Sequence, residues 1–298
     1  MQARRKVQPQ IMLKDMVDAR ARLKTNKSGG GNSLIVNELI SALPMTVIFW
    51  LMGLFNRRLY GIQCEEVISW MVLVLVFLNK TRRPGAMNEL RGISLLDTLS
   101  KYYMGCIMCM TKRLTKPRGE WQNINSFAYT DHCSTAHITL ILTNLFAKAR
   151  EWRGTDDVKT DILVLEGDIE AAFDNAKPEF VAEALVDLGV PPVVIAALLE
   201  EQANMMVQPI FEDLLIQPNR MNGSIAQGGV HSTVCWNALI GYIVKSLFPK
   251  WNKLGLGLEM DDRLLSHVIW SDNVWIIAPD VKQIRRMFGD LTKELSKH

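Results

Sequence analysis

The sequence lacks any apolar run long enough to cross a lipid bilayer. Its two longest apolar runs cover residues 43–55 and 67–78, and each is shorter than the ~18–20 residues that a membrane-spanning helix needs. The first residues, MQARRKVQPQ, are charged and lack the apolar core of a secretory signal. We therefore expect a folded protein of an intracellular compartment, cytoplasmic or nuclear, with no membrane as its partner.

Cysteine is scarce, and its pattern marks neither a disulfide framework nor a zinc site. The 298 residues include five cysteines, an odd number that suits a reducing compartment. Cys106 and Cys109 have metal-like spacing without a second pair, so a buried helix face is the preferred interpretation. His132, Cys133 and His137 lie close in sequence, but nothing else indicates zinc.

Charge is distributed unevenly along the chain. Residues 1–118 hold 19 lysines and arginines against 7 acidic residues, whereas residues 119–298 hold 15 against 24. Residues 79–118 alone hold nine basic and two acidic side chains. A basic front half and an acidic back half favour a polyanionic partner and a cation site in one molecule. Solvated faces that differ by chance are the alternative.

Hydrophobic periodicity predicts an α+β fold, with a few antiparallel strands and helices packed on one face. Strands are predicted over residues 71–79 and 161–167, with short strands within 209–229 and a hairpin over 264–278. Residues 79–92 are expected to form a basic loop. Helices are predicted over residues 10–25, 34–58, 94–115, 135–152, 178–188, 191–206, 232–247 and 280–296.

Asp168 and Asp272 are the candidate catalytic residues. Asp168 ends the apolar segment ILVLEGD, and Asp272 lies at the tip of the hairpin predicted for VIWSDNVWIIA. A carboxylate between apolar strands is costly unless it is compensated, and hard cations such as Mg²⁺ prefer carboxylate oxygens. Two such strand ends can hold two ions ~3.5–4 Å apart, which serves phosphoryl transfer. An N-cap is the alternative role for Asp168.

The order of these segments resembles that of reverse transcriptases (RNA-directed DNA polymerases) of the non-LTR retrotransposon and group II intron maturase kind. LEGDIEAAFDN is similar to the first palm motif of the family, SIAQGGVHSTVCWNALI to the second and VIWSDNVWIIA to the third. In the third motif Trp270, Asp272 and Asn273 stand at the places of the usual Tyr and two Asp residues. The resemblance covers about residues 25–296.

The resemblance implies the fingers and palm of a right-hand polymerase, with an antiparallel palm sheet backed by helices. Residues 1–160 would form the fingers and the fingers–palm helices, residues 161–298 would form the palm, and the chain would stop before the thumb. Two Mg²⁺ ions would be held by Asp168, by the main-chain carbonyl of Ile169 and by Asp272.

The resemblance also assigns the residues that would bind substrate. VFLNKTRRPGAMNELRGISLLDTLSK resembles the fingers motifs, so Lys80 and Arg91 would grip the triphosphate. Phe173 would be a steric gate that excludes ribonucleotides, with a core aromatic as the alternative. Gln227 and Gly228 would contact the incoming nucleotide and the template, since glycine allows a close backbone approach.

The function implied is RNA-dependent DNA synthesis by a two-metal mechanism, with template RNA, a primer strand and dNTPs as partners. Two alternatives stay open. An inactive, retroelement-derived RNA-binding module is favoured by the neutral Asn273 and the absent thumb. An RNA-copying RNA polymerase is disfavoured by Phe173, because a bulky gate excludes ribonucleotides.

Overall fold

The computed structural model describes residues 8–26, 35–62, 72–79, 82, 86, 89–115, 125–129, 133–152, 161–211, 214–220, 225, 228–260 and 263–297. Helices and strands are mixed along the chain, as the sequence predicted. The helices are α1 Leu13–Ala21, α2 Asn37–Ala42, α3 Met45–Leu59, α4 Thr98–Thr115, α5 Thr135–Trp152, α6 Ala172–Asn175, α7 Pro178–Asp187, α8 Pro192–Ala203, α9 Ser232–Lys253 and α10 Val281–Leu295. The strands are β1 Val72–Asn79, β2 Leu90–Leu95, β3 Leu163–Asp168, β4 Met206–Phe211, β5 Leu214–Leu215, β6 Asn219–Arg220, β7 Leu258–Met260, β8 Arg263–Leu265, β9 His267–Trp270 and β10 Asn273–Ala278.

The chain divides into two compact units. The first comprises Met1–Gly119 and Lys177–Thr233, and the second comprises Glu120–Ala176 and Val234–His298. The units therefore alternate along the chain, whereas the sequence predicted one boundary between residues 160 and 161. The assignment of fingers and palm stays a prediction.

The first unit contains a sheet with strand order β2-β1-β4-β5, in which β6 also pairs with β4. Strands β1 and β2 are antiparallel, but β1 and β4 are parallel, with Val72 opposite Met206. The parallel pair adds to the few antiparallel strands that the sequence predicted. Strand β2 also replaces part of the predicted basic loop and the predicted start of the helix at residue 94.

The helix predicted over residues 34–58 is two helices in the structure. Leu43 ends α2 in an extended conformation, and Pro44 is the N-cap of α3. The proline ring disfavours a helical conformation in the residue before it. Apolar periodicity continues across this break, so periodicity alone did not predict it.

The second unit contains a three-stranded antiparallel sheet with strand order β3-β10-β9. Strands β9 and β10 confirm the predicted hairpin, with Val274 opposite Ile269. One face of the sheet packs against α5 through Val268, Ile277 and Ile138. Helix α10 packs against β10 and β3, and it begins where the carboxylate of Asp280 accepts the Gln283 amide at 2.8 Å.

No helix among the described residues is long and apolar enough to span a membrane.

Candidate active site

The structure brings Asp168 and Asp272 to neighbouring strand ends. Strand β3 ends at Asp168, which lies directly opposite Asn273, the first residue of β10. The amide N–H of Ile169 donates a hydrogen bond to the carbonyl oxygen of Asp272 at 2.9 Å. Directly opposite residues in an antiparallel pair have Cβ atoms ~4.5–5.5 Å apart. Residues far apart in the sequence therefore meet at one end of the sheet.

The two carboxylates differ in their surroundings. Asp168 is exposed, whereas Asp272 and Asn273 are half-buried. The side-chain amide of Asn273 donates a long hydrogen bond to Oδ1 of Asp272 at 3.4 Å. Asn273 is thus a neutral donor at a position where an aspartate would add a like charge.

The chemistry of the donors at this end of the sheet fits a divalent cation such as Mg²⁺. The carboxylates of Asp168 and Asp272 and the adjacent main-chain carbonyls offer hard oxygen ligands, which Mg²⁺ prefers. Over the described ranges no group of three or more His, Cys, Asp or Glu side chains could hold a metal ion. A cation here would therefore depend on the two carboxylates, supplemented by main-chain oxygens and water.

The turn that carries Asp272 has an unusual backbone conformation. Ser271 has a φ of 58°, in the left-handed region that few residues other than glycine adopt. The indole Nε1–H of Trp236 donates to the carbonyl oxygen of Ser271 at 3.0 Å. The hydroxyl of Tyr129 lies 3.2 Å from Oγ of Ser271. The sequence did not predict these contacts, although Trp236 lies within SIAQGGVHSTVCWNALI, the segment similar to the second palm motif.

Phe173 lies in α6, just after the strand that carries Asp168. It is half-buried, and its ring centroid lies 5.6 Å from that of Trp236. This contact is the packing expected of a core aromatic, the alternative that the sequence offered. The role of steric gate stays a prediction.

Two of the other predicted substrate-binding residues, Arg91 and Gly228, belong to the first unit. Arg91 lies in β2, opposite Leu78 of β1. Gly228 has a φ of 107°, and a Cβ atom there would lie 2.6 Å from the carbonyl oxygen of Ser94. The close approach of the backbone to β2 therefore requires glycine at position 228, whether or not this residue also binds a ligand. Lys80 and Gln227 lie outside the described residues.

A mainly apolar cavity of about 240 Å³ lies between α10 and the strands β3 and β10. Its ionisable lining residues are Asp168 and Glu170, and apolar lining residues include Ile276 and Leu291. The cavity thus adjoins one of the two candidate catalytic carboxylates.

Comparison with solved structures shows what this fold resembles. Apo telomerase from Candida tropicalis truncated from the C-terminal domain matches with a TM-score of 0.50 and 12% identity, over 76% of this chain and 48% of that chain. Telomerase from Candida tropicalis in complex with a TWJ fragment of telomeric RNA matches with a TM-score of 0.52 and 8% identity, over 76% and 39% of the two chains. Apo telomerase from Candida tropicalis matches with a TM-score of 0.51 and 8% identity, over 82% and 46%.

These matches define the fold and no more. This chain spans less than half the length of each of those telomerase chains. No protein-family model matches the sequence, and no curated protein matches it either. Telomerase is a polymerase related to reverse transcriptases, and the likeness does not support the maturase type in particular. The chain therefore has a reverse-transcriptase-like fold.

Proposed function

We propose that this protein carries out template-directed nucleotidyl transfer, as an RNA-dependent DNA polymerase of the reverse-transcriptase kind. The observation that carries the proposal is the strand register at one end of the three-stranded sheet. Asp168 lies opposite Asn273, and the amide of Ile169 binds the carbonyl of Asp272. Two carboxylates are thereby held at adjacent strand ends in a reverse-transcriptase-like fold.

In this proposal the two aspartates bind divalent cations, with the carbonyl of Ile169 as a further ligand. Bound Mg²⁺ would supply activation of a primer 3′-hydroxyl and stabilisation of the charge on leaving pyrophosphate. Arg91 and Lys80 bind the triphosphate, since guanidinium and ammonium groups suit phosphate oxygens. Gln227 and Gly228 contact the nucleotide and the template, and Phe173 excludes the ribose 2′-hydroxyl.

Template RNA, a primer strand and dNTPs are the partners in this proposal. The support is the excess of basic residues in the first 118 positions, because phosphate contacts supply much of the affinity for nucleic acids. One of the matched telomerase structures is a complex with a fragment of telomeric RNA.

The second candidate function is RNA binding without synthesis. Asn273 favours it, because a neutral amide donates to Asp272 where a further carboxylate would strengthen a cation site. The two candidates share the fold and the nucleic-acid partner, so activity separates them.

Primer extension tests the proposal. The purified chain is incubated with an RNA template, a DNA primer and dNTPs in Mg²⁺, beside Asp168→Asn and Asp272→Asn. Each substitution keeps the shape and removes a metal-binding charge, so we expect incorporation to fall at least about 100-fold, beyond the effect typical of residues that only support ligands. Glu166→Gln is the matched control, since Glu166 is an exposed carboxylate on the same strand, opposite Trp275.

Three results contradict the proposal. Equal incorporation by the parent and both aspartate variants would remove these residues from the chemistry. No incorporation by the parent, with RNA retained in a filter-binding assay, would establish the RNA-binding module. Preference for NTPs over dNTPs would indicate an RNA polymerase and remove the proposed role of Phe173.

A further inference from the structure

We infer that Trp236 is a positioning residue for this reaction, because it fixes the turn that aims Asp272. The inference rests on the proposed function of Asp272. The indole Nε1–H of Trp236 donates to the carbonyl oxygen of Ser271 at 3.0 Å. Trp236 is 2% exposed and Ser271 is 8% exposed, so water competes little for this hydrogen bond.

The turn needs an external support because of its backbone conformation. Ser271 has a φ of 58°, and a side chain disfavours this left-handed region. Such conformations persist where the surrounding structure determines them, and they cluster at functional sites. Ser271 directly precedes Asp272, so its dihedral angles set the direction in which the Asp272 carboxylate leaves the turn.

Trp236 also contacts the segment that follows Asp168. Its ring lies 5.6 Å from that of Phe173, at an interplanar angle of 33°. One side chain therefore touches both segments that carry the candidate catalytic carboxylates. It contacts the turn through a hydrogen bond and the segment after Asp168 through ring packing. No other natural side chain combines a ring of this size with an N–H donor.

A second support of the turn depends on the neighbouring residue of the same helix. Asn237 donates through Nδ2 to the carbonyl oxygen of Ala128 at 3.1 Å and accepts through Oδ1 from the hydroxyl of Ser126 at 3.1 Å. Tyr129 directly follows Ala128 in the sequence, and its hydroxyl lies 3.2 Å from Oγ of Ser271. Helix α9 thus supports the turn directly through Trp236 and indirectly through Tyr129.

The segment that carries Tyr129 is also bound to the hairpin itself. The amide of Phe127 donates to the carbonyl of Ile269 at 3.1 Å, and the amide of Ile269 donates to the carbonyl of Asn125 at 2.8 Å. Tyr129 therefore has a fixed backbone from which to reach the turn. The geometry makes the orientation of Asp272 depend on α9 and on residues 125–129.

Trp236→Phe separates the hydrogen bond from the packing, because phenylalanine keeps an aromatic ring and loses the donor. We expect the Mg²⁺ concentration for half-maximal primer extension to rise about tenfold, as for other residues that orient metal ligands. The KM for primer–template should stay unchanged, and saturating Mg²⁺ should restore most of the rate. Tyr129→Phe should produce a smaller shift in the same direction, since Tyr129 is 47% exposed.

Trp275→Phe is the matched control. Trp275 lies in β10 of the same sheet and packs against the cluster on the α5 face. The Trp275→Phe variant loses the same indole group, so it shows how a tryptophan-to-phenylalanine change in this unit affects the Mg²⁺ dependence when the hydrogen bond to Ser271 is kept. An Mg²⁺ dependence for Trp236→Phe equal to that of the parent or of Trp275→Phe would overturn the inference.

A spectroscopic readout makes the inference independent of activity. In ¹⁵N-labelled protein the indole N–H resonance of Trp236 is assigned by its absence from Trp236→Phe. Mg²⁺ should shift this resonance in the parent and leave it in place in Asp272→Ala. A resonance that stays in place while the parent binds Mg²⁺ would overturn the inference.

If the parent binds no divalent cation, the proposed function is wrong, and the positioning role of Trp236 is then tested by a separate measurement. Amide hydrogen exchange at Asp272 and Asn273 should then still be faster in Trp236→Phe than in Trp275→Phe, because the turn has lost its support. Equal exchange in the two variants would overturn the positioning role itself.

Discussion

The five-stranded and three-stranded sheets, two of those that the structure describes, position their motif residues by different means. In the three-stranded sheet a two-residue turn, Ser271 and Asp272, joins antiparallel strands that are adjacent in sequence. In the five-stranded sheet β1 and β4 are parallel, with Val72 opposite Met206, and parallel strands need a long connection along the chain. The first arrangement places a carboxylate at a strand end through local geometry. Beside the five-stranded sheet, Gly228 lies against β2 through a contact between distant parts of the chain.

This difference indicates where each region is sensitive to change. The hairpin site depends on charge and on one strained turn. The glycine contact depends on the space between two backbones, where a methyl group has no room. Three perturbations probe the comparison, and they follow in decreasing order of expected effect.

Acid should destabilise the first unit through His231. The side chain is fully buried, and neither ring nitrogen has a hydrogen-bond partner in the part of the chain that the structure describes. Burial lowers the pKa of His231 from 6.5 to about 4. Between these values the unfolded chain binds more protons than the folded one, so stability is complete above pH 6.5 and falls toward pH 4. The expected loss is about 3 kcal/mol at the acid limit.

Urea unfolding between pH 4 and pH 7.5 measures this effect. His231→Leu fills the same space without a titrating group, so its free energy of unfolding should fall less with acid than that of the parent. His137→Leu, at an exposed histidine of α5, serves as the matched substitution. Parallel pH profiles for the parent and His231→Leu would contradict the assignment.

Gly228→Ala should destabilise the chain by about 2 kcal/mol, because the new Cβ meets the carbonyl of Ser94 and the positive φ is unfavourable for alanine. Gly53→Ala is the matched control in the same unit. Gly53 lies exposed inside α3 with nothing within 4 Å of a Cβ, so alanine there should stabilise the chain by ~0.5–1 kcal/mol. Thermal unfolding of both variants should therefore give shifts of opposite sign, and shifts of the same sign would refute the close contact.

Asn273→Asp should have the smallest of these effects, and it acts at the other sheet. It replaces a neutral donor beside Asp272 by a carboxylate, so affinity for Mn²⁺ should rise by about tenfold, roughly 1.4 kcal/mol. Asn219→Asp adds the same charge to β6 of the five-stranded sheet and should leave Mn²⁺ affinity unchanged. Equal affinities for the parent and Asn273→Asp would show that the missing charge never limited the site.

Local pattern was sufficient to predict the hairpin and the strand before Asp168. Each has an apolar run bounded by turn residues, and such signals depend on neighbours in the sequence. The prediction that Asp168 lies close to Asp272 depended on the resemblance to a polymerase family, because nothing in the periodicity pairs β3 with β10. The break at Pro44 was missed for the opposite reason, since apolar periodicity continued through a residue that ends a helix.

The contacts around the turn lay beyond sequence reasoning. The hydrogen bond from Trp236 to Ser271 joins a helix to a turn 35 positions away, and a tryptophan in an apolar helix gives no sign of its partner. The positive φ of Ser271 was equally hidden, because serine has no special preference for that conformation. The parallel pairing of β1 with β4 depends on the tertiary fold and also had no local signal.

Electron paramagnetic resonance of bound Mn²⁺ tests the central claim most directly, namely that Asp168 and Asp272 form one cation site. The parent, Asp168→Asn, Asp272→Asn, the double variant and Glu166→Gln are titrated with Mn²⁺. Each single substitution should weaken binding at least about tenfold, and the double variant should bind more weakly than either one, because both residues serve one site. Glu166→Gln should bind as the parent does. Unchanged binding in either aspartate variant would contradict the claim.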